Sequence, residues 1–228
     1  MNTDFLETLY LTAKLALFTT STLFVVALPI AYLLAFKRFF GRAVIEALIS
    51  MPMVLPPTVL GFYLLMAYSP SSPFGGAWVA LFGRGLAFSF EGILLASVLF
   101  GLPFMVQPLQ SGFMAVPQSL SMAAQTLGKS KFNIFFKILL PNMVPSIVSA
   151  IALTFARTIG EFGVIMMVGG NMPSQTRVAS IAIYDEVQAL NFETANQYSL
   201  ILFCVSMVML TLIQTFNKKD RRRDYAKD

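Results

Sequence analysis

An all-α, polytopic membrane protein is the fold class that this sequence predicts, and three observations lead to it. Of its 228 residues, 57% are hydrophobic and only 12% are charged; a soluble domain carries about 25% charged residues. The apolar residues gather in long runs separated by short polar segments. Hydrocarbon demands that arrangement, because it satisfies neither charges nor open backbone. The basic residues fall mostly in the loops and the tail, so membrane topology accounts for the net charge of +5 and nucleic acid is not needed.

A spanning helix takes about 20 mostly apolar residues. Five runs qualify, at about residues 9–36, 44–68, 92–114, 142–169 and 198–216, and the whole chain, 1–228, reads as one transmembrane domain. The second run contains the kinking cluster Pro52, Pro56 and Pro57, and the third is interrupted by Pro103 and Pro108. The stretch 69–85 is rich in Gly, Pro and Ser and reads as a loop, with Trp78 and Phe82 suited to the membrane boundary. Orientation follows from Lys37, Arg38 and Arg42 after the first run, Lys129, Lys131 and Lys137 after the third, and six basic residues in the tail from Lys218 to Lys227. With five spans these lie on one side, against Lys14, Arg84 and Arg177 on the other. The positive-inside rule then predicts an external N-terminus and a cytoplasmic C-terminus.

Other classes are excluded early. Asp4 and Glu7 stand where a signal peptide has its basic region, and the first run outlasts a signal sequence, so a retained first span is expected. One cysteine, Cys204, and no histidine leave no disulfide framework and no His/Cys metal cage; Cys204 reads as a small packing residue within an apolar run.

Between the third and fourth runs lies the polar, basic segment 115–141. Within it Met122-Ala123-Ala124-Gln125-Thr126-Leu127-Gly128 is followed, nine residues later, by Ile138-Leu139-Leu140-Pro141. The pattern predicts a short helix, a break at Gly128, a second short helix, and a proline that restarts the chain as the fourth run. Taken alone, it also suits an amphipathic helix lying on lipid. Gly128-Lys129-Ser130 imitates the end of a phosphate-binding loop, but that loop needs a glycine at position 123, which is alanine, and a preceding strand. ATP is therefore expected to be hydrolysed on another chain.

The spacing resembles the coupling motif of ABC importer permeases: Ala123, Ala124, Gly128, Ile138, Leu140 and Pro141 match in register, while Met122 stands where the family has glutamate. In the fourth run, Phe155-Ala156-Arg157-Thr158-Ile159-Gly160-Glu161-Phe162-Gly163 resembles the segment shared by importers of molybdate, tungstate and sulfate. Arg157 and Glu161, four apart, share a helix face and can pair. That pair serves either to fix helix packing or to face the pore; Gly160 and Gly163 suit close helix contact. Beyond it, Asn171-Met172-Pro173-Ser174-Gln175-Thr176-Arg177, then Ile183-Tyr184-Asp185-Glu186, resembles the external loop of molybdate permeases. Residues 179–190 carry apolar positions at helical spacing, which suits a helix packed flat on the bundle. The Met53-Val54-Leu55-Pro56-Pro57-Thr58-Val59-Leu60-Gly61 segment also recurs in the oxyanion group.

The resemblance implies a permease of the type I ABC importer fold in the bacterial cytoplasmic membrane, surrounded by lipid bilayer. It implies a homodimer resting on two ABC ATPase subunits, which bind ATP and magnesium, so that this chain carries no cofactor. An extracytoplasmic molybdate-binding protein would deliver the anion. Docking to the ATPase falls to Met122, Ala123, Ala124, Gly128, Ile138, Leu140 and Pro141, and docking to the binding protein to Arg177, Asp185 and Glu186. Polarity and kinks within the second and fourth runs nominate Pro56, Thr58, Gly61, Thr154, Thr158 and Glu161 for the translocation path. Tungstate or sulfate remains an alternative cargo, and a channel or anchor that works without ATP is an alternative of another class.

Overall fold

The computed structural model describes residues 3–224, with side chains for residues 5–211 apart from Met209. The basic side chains of the tail lie outside the described residues. Helices α1 (Thr3–Phe36), α2 (Arg42–Val54), α3 (Pro57–Tyr68), α4 (Pro73–Phe82), α5 (Phe90–Ala115) and α6 (Gln118–Thr126) form the first half. In the second half come α7 (Lys131–Ile134), a π-helical turn (Phe135–Leu139), α8 (Leu140–Asn142), α9 (Val144–Ile159), α10 (Gly163–Gly169), α11 (Ala179–Gln188) and α12 (Phe192–Asp224). No strand occurs among the described residues.

Helix α5 is the axis of the bundle, packed between α1 and α9. Small residues let the helices close on it: a Cβ at Gly101 would stand 2.7 Å from Leu23 Cδ1 of α1, and one at Gly112 would stand 2.6 Å from Ser146 Cβ of α9. On α1, Leu15, Thr19, Leu23, Ala27 and Ala31 recur every four residues and are fully buried, which is one face of a helix. That stripe continues into Leu34 and meets Met105, Leu109 and Phe113 of α5, Ala150 of α9, Met143 just before α9, and Ile134 and Leu139 of the 115–141 segment.

Two of the apolar runs are not single rods. Among the described residues α1 and α5 are each long and apolar enough to cross a bilayer alone. The second run breaks into α2 and α3, which diverge by 113°. Pro56 holds Leu55 in extended backbone (φ −71°, ψ 137°), and Pro57, needing no N–H partner, opens the next helix. The fourth run breaks twice. Residues Lys131–Asn142 meet α9 at 73°, and α9 stops at Ile159 before α10 begins at Gly163.

Four further boundaries differ from the sequence reading. The stretch 69–85 contains helix α4: Ser72 accepts the Gly75 N–H at 2.9 Å, Pro73 starts the helix, and Gly83 ends it in the left-handed region (φ +69°). The first and fifth runs begin earlier as helices, at Thr3 and Phe192, because polar residues at a membrane boundary extend a helix without interrupting it. Pro141 sits in the one-turn α8, so Pro145, in the first turn of α9, opens the long helix.

Candidate functional site

The break between α2 and α3 packs against the break between α9 and α10. Gly163, at the start of α10, lies so close to α3 that a Cβ there would stand 2.9 Å from Pro57 Cβ; a Cβ on Gly61 would stand 2.7 Å from Met167 Cβ and 3.3 Å from Val164 Cα. Gly61 and Gly163 thus join α3 to α10, whereas Gly160 has no atom of another helix within 4 Å. Gly61→Leu is expected to lower the stability of the purified chain by about 1–3 kcal/mol, since overpacking forces backbone apart. Gly160→Ala, with open space around it, should leave thermal unfolding in detergent nearly unchanged. Equal unfolding temperatures for the two variants would contradict this packing.

Beside the joined breaks lies the ionisable pair. Arg157 Nη1 approaches Glu161 Oε2 at 3.0 Å, with the carboxylate buried and the guanidinium about one-third exposed. Glu161 lies beyond the end of α9, so the pair closes across the helix terminus and not along a continuous helix face. The backbone of Phe162 and Val164, at the start of α10, also favours the charged carboxylate. The guanidinium lies 4.6 Å from the ring centre of Phe100 and 5.6 Å from that of Phe104, both on α5. Cation–π attraction and the carboxylate hold the Arg157 charge in place.

The nominated path residues separate into groups. Pro56 and Thr58 are exposed at the bend, while Gly61 is buried between α3 and α10. Thr154 and Thr158 are buried in the bundle. Thr158 Oγ1 donates to the Thr154 carbonyl at 2.9 Å, and Thr154 Cγ2 lies near Gly101, on the α5 side of α9. A second polar group was passed over in the sequence because it is thinly spread along apolar helices. Gln110 Nε2 donates to Glu46 Oε1 at 3.0 Å, Arg42 Nε donates to the same oxygen at 3.1 Å, and Gln107 Nε2 donates to Ser50 Oγ at 3.1 Å. The i,i+3 glutamines in an otherwise apolar run were the available signal.

The 115–141 segment projects from the bundle on a firm base. Helix α6 ends in a Schellman motif: Lys129 N–H donates to the Ala124 carbonyl at 3.0 Å and Gly128 N–H to the Gln125 carbonyl at 2.9 Å, with Gly128 at φ +72°. Ser130 then caps α7 by accepting the Asn133 N–H. Met122, Ala123, Gly128 and Pro141 are exposed, Ala124 is buried, and Ile138 and Leu140 are half-buried. Leu127, Phe132 and Phe136 add exposed apolar surface, at 76%, 71% and 48% of their areas. The base is aromatic: Phe135 stands 5.4 Å from Tyr32 of α1 and 5.9 Å from Phe113 of α5, measured between ring centres. The exposed helices are thus packed onto α1 and α5 through this base.

On the far side of α10, Thr176 winds the loop tightly, donating to the Gly169 carbonyl at 2.7 Å and accepting the Met172 N–H at 3.1 Å. Arg177 pairs with Asp185 at 3.1 Å, and Asn171 donates to the same carboxylate at 2.6 Å. Glu186 accepts from Asn191 at 2.9 Å. All three residues nominated for binding-protein docking thus also hold α11 to its neighbouring loops. Helix α11 is buried through Ala179, Ile181 and Ala182.

The chain belongs to the family of binding-protein-dependent transport system inner membrane components, whose pattern matches residues 27–221. It is 42% identical over 191 residues to the molybdenum transport system permease protein ModB of Azotobacter vinelandii, covering 84% of each chain. Over 199 residues it is 31% identical to the sulfate transport system permease protein CysT of Escherichia coli K12, covering 87% of this chain and 72% of that one. Among solved structures it resembles a bacterial ABC transporter involved in alginate import, with a TM-score of 0.79 at 15% identity over 96% of this chain and 80% of the other. The methionine ABC transporter MetNI gives a TM-score of 0.73 at 16% identity, over 96% of this chain and 99% of that one. The fold is that of ABC importer permeases.

Proposed function

We propose that this chain is the permease subunit of an ATP-driven molybdate importer, working as two copies above two ATPase subunits and beneath an extracytoplasmic molybdate-binding protein. The observation that carries the reading is the exposed pair of short helices around Gly128, rooted in α1 and α5 by Ile134, Phe135 and Leu139. Such a lever suits a partner whose nucleotide-driven closure must be passed to the membrane helices. The basic loops support five crossings, with 115–141 and the tail cytoplasmic and α11 external. Arg177, Asp185 and Glu186 then face the binding protein. Pro56, Thr58 and Glu161 flank the paired breaks, the place where helix backbone opens and an anion finds polar groups; Gly61, Thr154 and Thr158 shape it from behind.

Similarity favours molybdate, at 42% identity to a molybdenum permease against 31% to a sulfate permease. The sulfate relatives make sulfate the second reading. The decisive experiment reconstitutes the chain with its ATPase and binding protein and measures ATP hydrolysis with molybdate, tungstate and sulfate. Stimulation by the molybdate-loaded binding protein is expected. Stimulation by sulfate alone would keep the importer and change its cargo, and no ATPase association under any condition would remove the importer reading.

A further inference from the structure

One face of α5 turns from aromatic to polar as it leads from the Arg157 site to the basic loops. Phe100, Phe104, Gln107 and Gln110 are spaced four, three and three residues apart, so they follow one another down a single helix face. Arg157 covers the first two with its guanidinium. Gln107 reaches Ser50 Oγ at 3.1 Å and lies 3.6 Å from Met53 Sδ. One turn further on, Gln110 meets Glu46, which also holds Arg42. These groups open onto a cavity of about 180 Å³ lined by Glu46, Ser50, Gln107 and Gln110 with apolar flanks. Gln107 is exposed, and the Glu46 side chain keeps 37% of its area.

Lipid is an unsuitable neighbour for such a face. Ionisable and amide groups within membrane helices turn toward protein or a water-filled cavity. The opposite face of α2 carries Val44, Leu48 and Met51, all largely exposed and all apolar, as a lipid-facing surface would be. Among the described residues of one copy nothing covers the polar face, and its open cavity has room for water.

We propose that this α2–α5 face lines the cytoplasmic half of the anion path, with Gln107, Ser50 and Gln110 as the groups a tetrahedral oxyanion meets after leaving Arg157. Carboxamide and hydroxyl donors give the anion hydrogen bonds without a fixed positive charge that would trap it. At the mouth, Glu46 neutralises Arg42, so the exit does not become a binding site. The inference rests on the importer reading above and adds to it the route and the residues.

The test uses the complete transporter, with Cys204→Ser removing the single cysteine of this chain. Ser50→Cys and Gln107→Cys are exposed, in inside-out membrane vesicles, to a charged methanethiosulfonate reagent, with Leu48→Cys as the comparison. Labelling at positions 50 and 107 is expected to run at least about tenfold faster than at 48, since a charged reagent does not partition into hydrocarbon. Labelling no faster than at Leu48→Cys overturns the assignment, whether lipid or a dry contact with the second copy is the cause. In parallel, Gln107→Leu should cut anion uptake by about tenfold, the loss of one hydrogen bond to a charged group. It should also raise the ATP hydrolysed per anion imported, and Gln107→Asn should recover much of the uptake. Unchanged uptake and stoichiometry in Gln107→Leu would overturn it too. Failure of the importer reading shows up separately, as absent binding-protein-stimulated hydrolysis in the unsubstituted complex.

Discussion

Replacing Glu161 by alanine is expected to destabilise the chain by about 1.5–3 kcal/mol, the range for a hydrogen bond to a charged group, because the Arg157 guanidinium left behind is about one-third exposed. Glu161 is 2% exposed, and its carboxylate pairs with Arg157 at 3.0 Å. Its loss leaves the guanidinium against the Phe100 and Phe104 rings without a counter-charge. Thermal unfolding in detergent reads the effect. The double variant Arg157→Met, Glu161→Leu should recover most of the stability, because well-packed apolar side chains replace a buried pair at little cost. Transport then separates the two roles that the sequence left open. Uptake by the stable double variant is expected to stay below about a tenth of the parent value, the rate effect of removing roughly 1.4 kcal/mol or more from the path. Parental uptake in the double variant would reduce the pair to packing.

That the chain is a helical membrane protein was legible because the bilayer imposes its demands on composition directly. The charge segregation and long apolar runs are visible without any tertiary knowledge. The turn at Gly128 was legible for a related reason: Gly128 and Ser130 act locally, through backbone conformation and capping. The geometry of the breaks was not. Pro56 and Pro57 mark where the second run yields, but no hydropathy average distinguishes a kink from a 113° turn. Helix α4 was hidden by composition, although its signals, Ser72-Pro73 at the start and Gly83 at the end, stood in the sequence. Side-chain direction was the largest omission. Thr154 and Thr58 looked alike as polar residues in apolar runs, yet one is fully buried and the other exposed at the bend. Gln107 and Gln110 matter only once α2 is placed beside them.

Gly128→Pro is expected to abolish coupling while leaving the membrane bundle intact. Gly128 holds φ at +72°, and no atom lies within 4 Å of where its Cβ would stand, so any penalty at this position comes from the backbone alone. Proline fixes φ near −65° and removes the N–H that bonds the Gln125 carbonyl. The turn between α6 and α7 cannot then close as it does, and the exposed surface of Met122, Ala123 and Phe132 is redirected. The core formed by Leu23, Leu109 and Phe113 contains none of these atoms, so the variant should still insert and be purified in the parental amount. Binding-protein-stimulated ATP hydrolysis of the reconstituted complex should fall below about a tenth, in line with several kcal/mol of local backbone disruption. Gly128→Asn should retain most of it, because asparagine visits the left-handed region at small cost. Gly128→Val, β-branched and strained at positive φ, should fall between the two. The graded order Asn, Val, Pro is the signature of a backbone requirement. A Gly128→Pro complex that hydrolyses ATP at the parental stimulated rate would show that the turn transmits nothing, and the lever would have to be sought elsewhere on the same face.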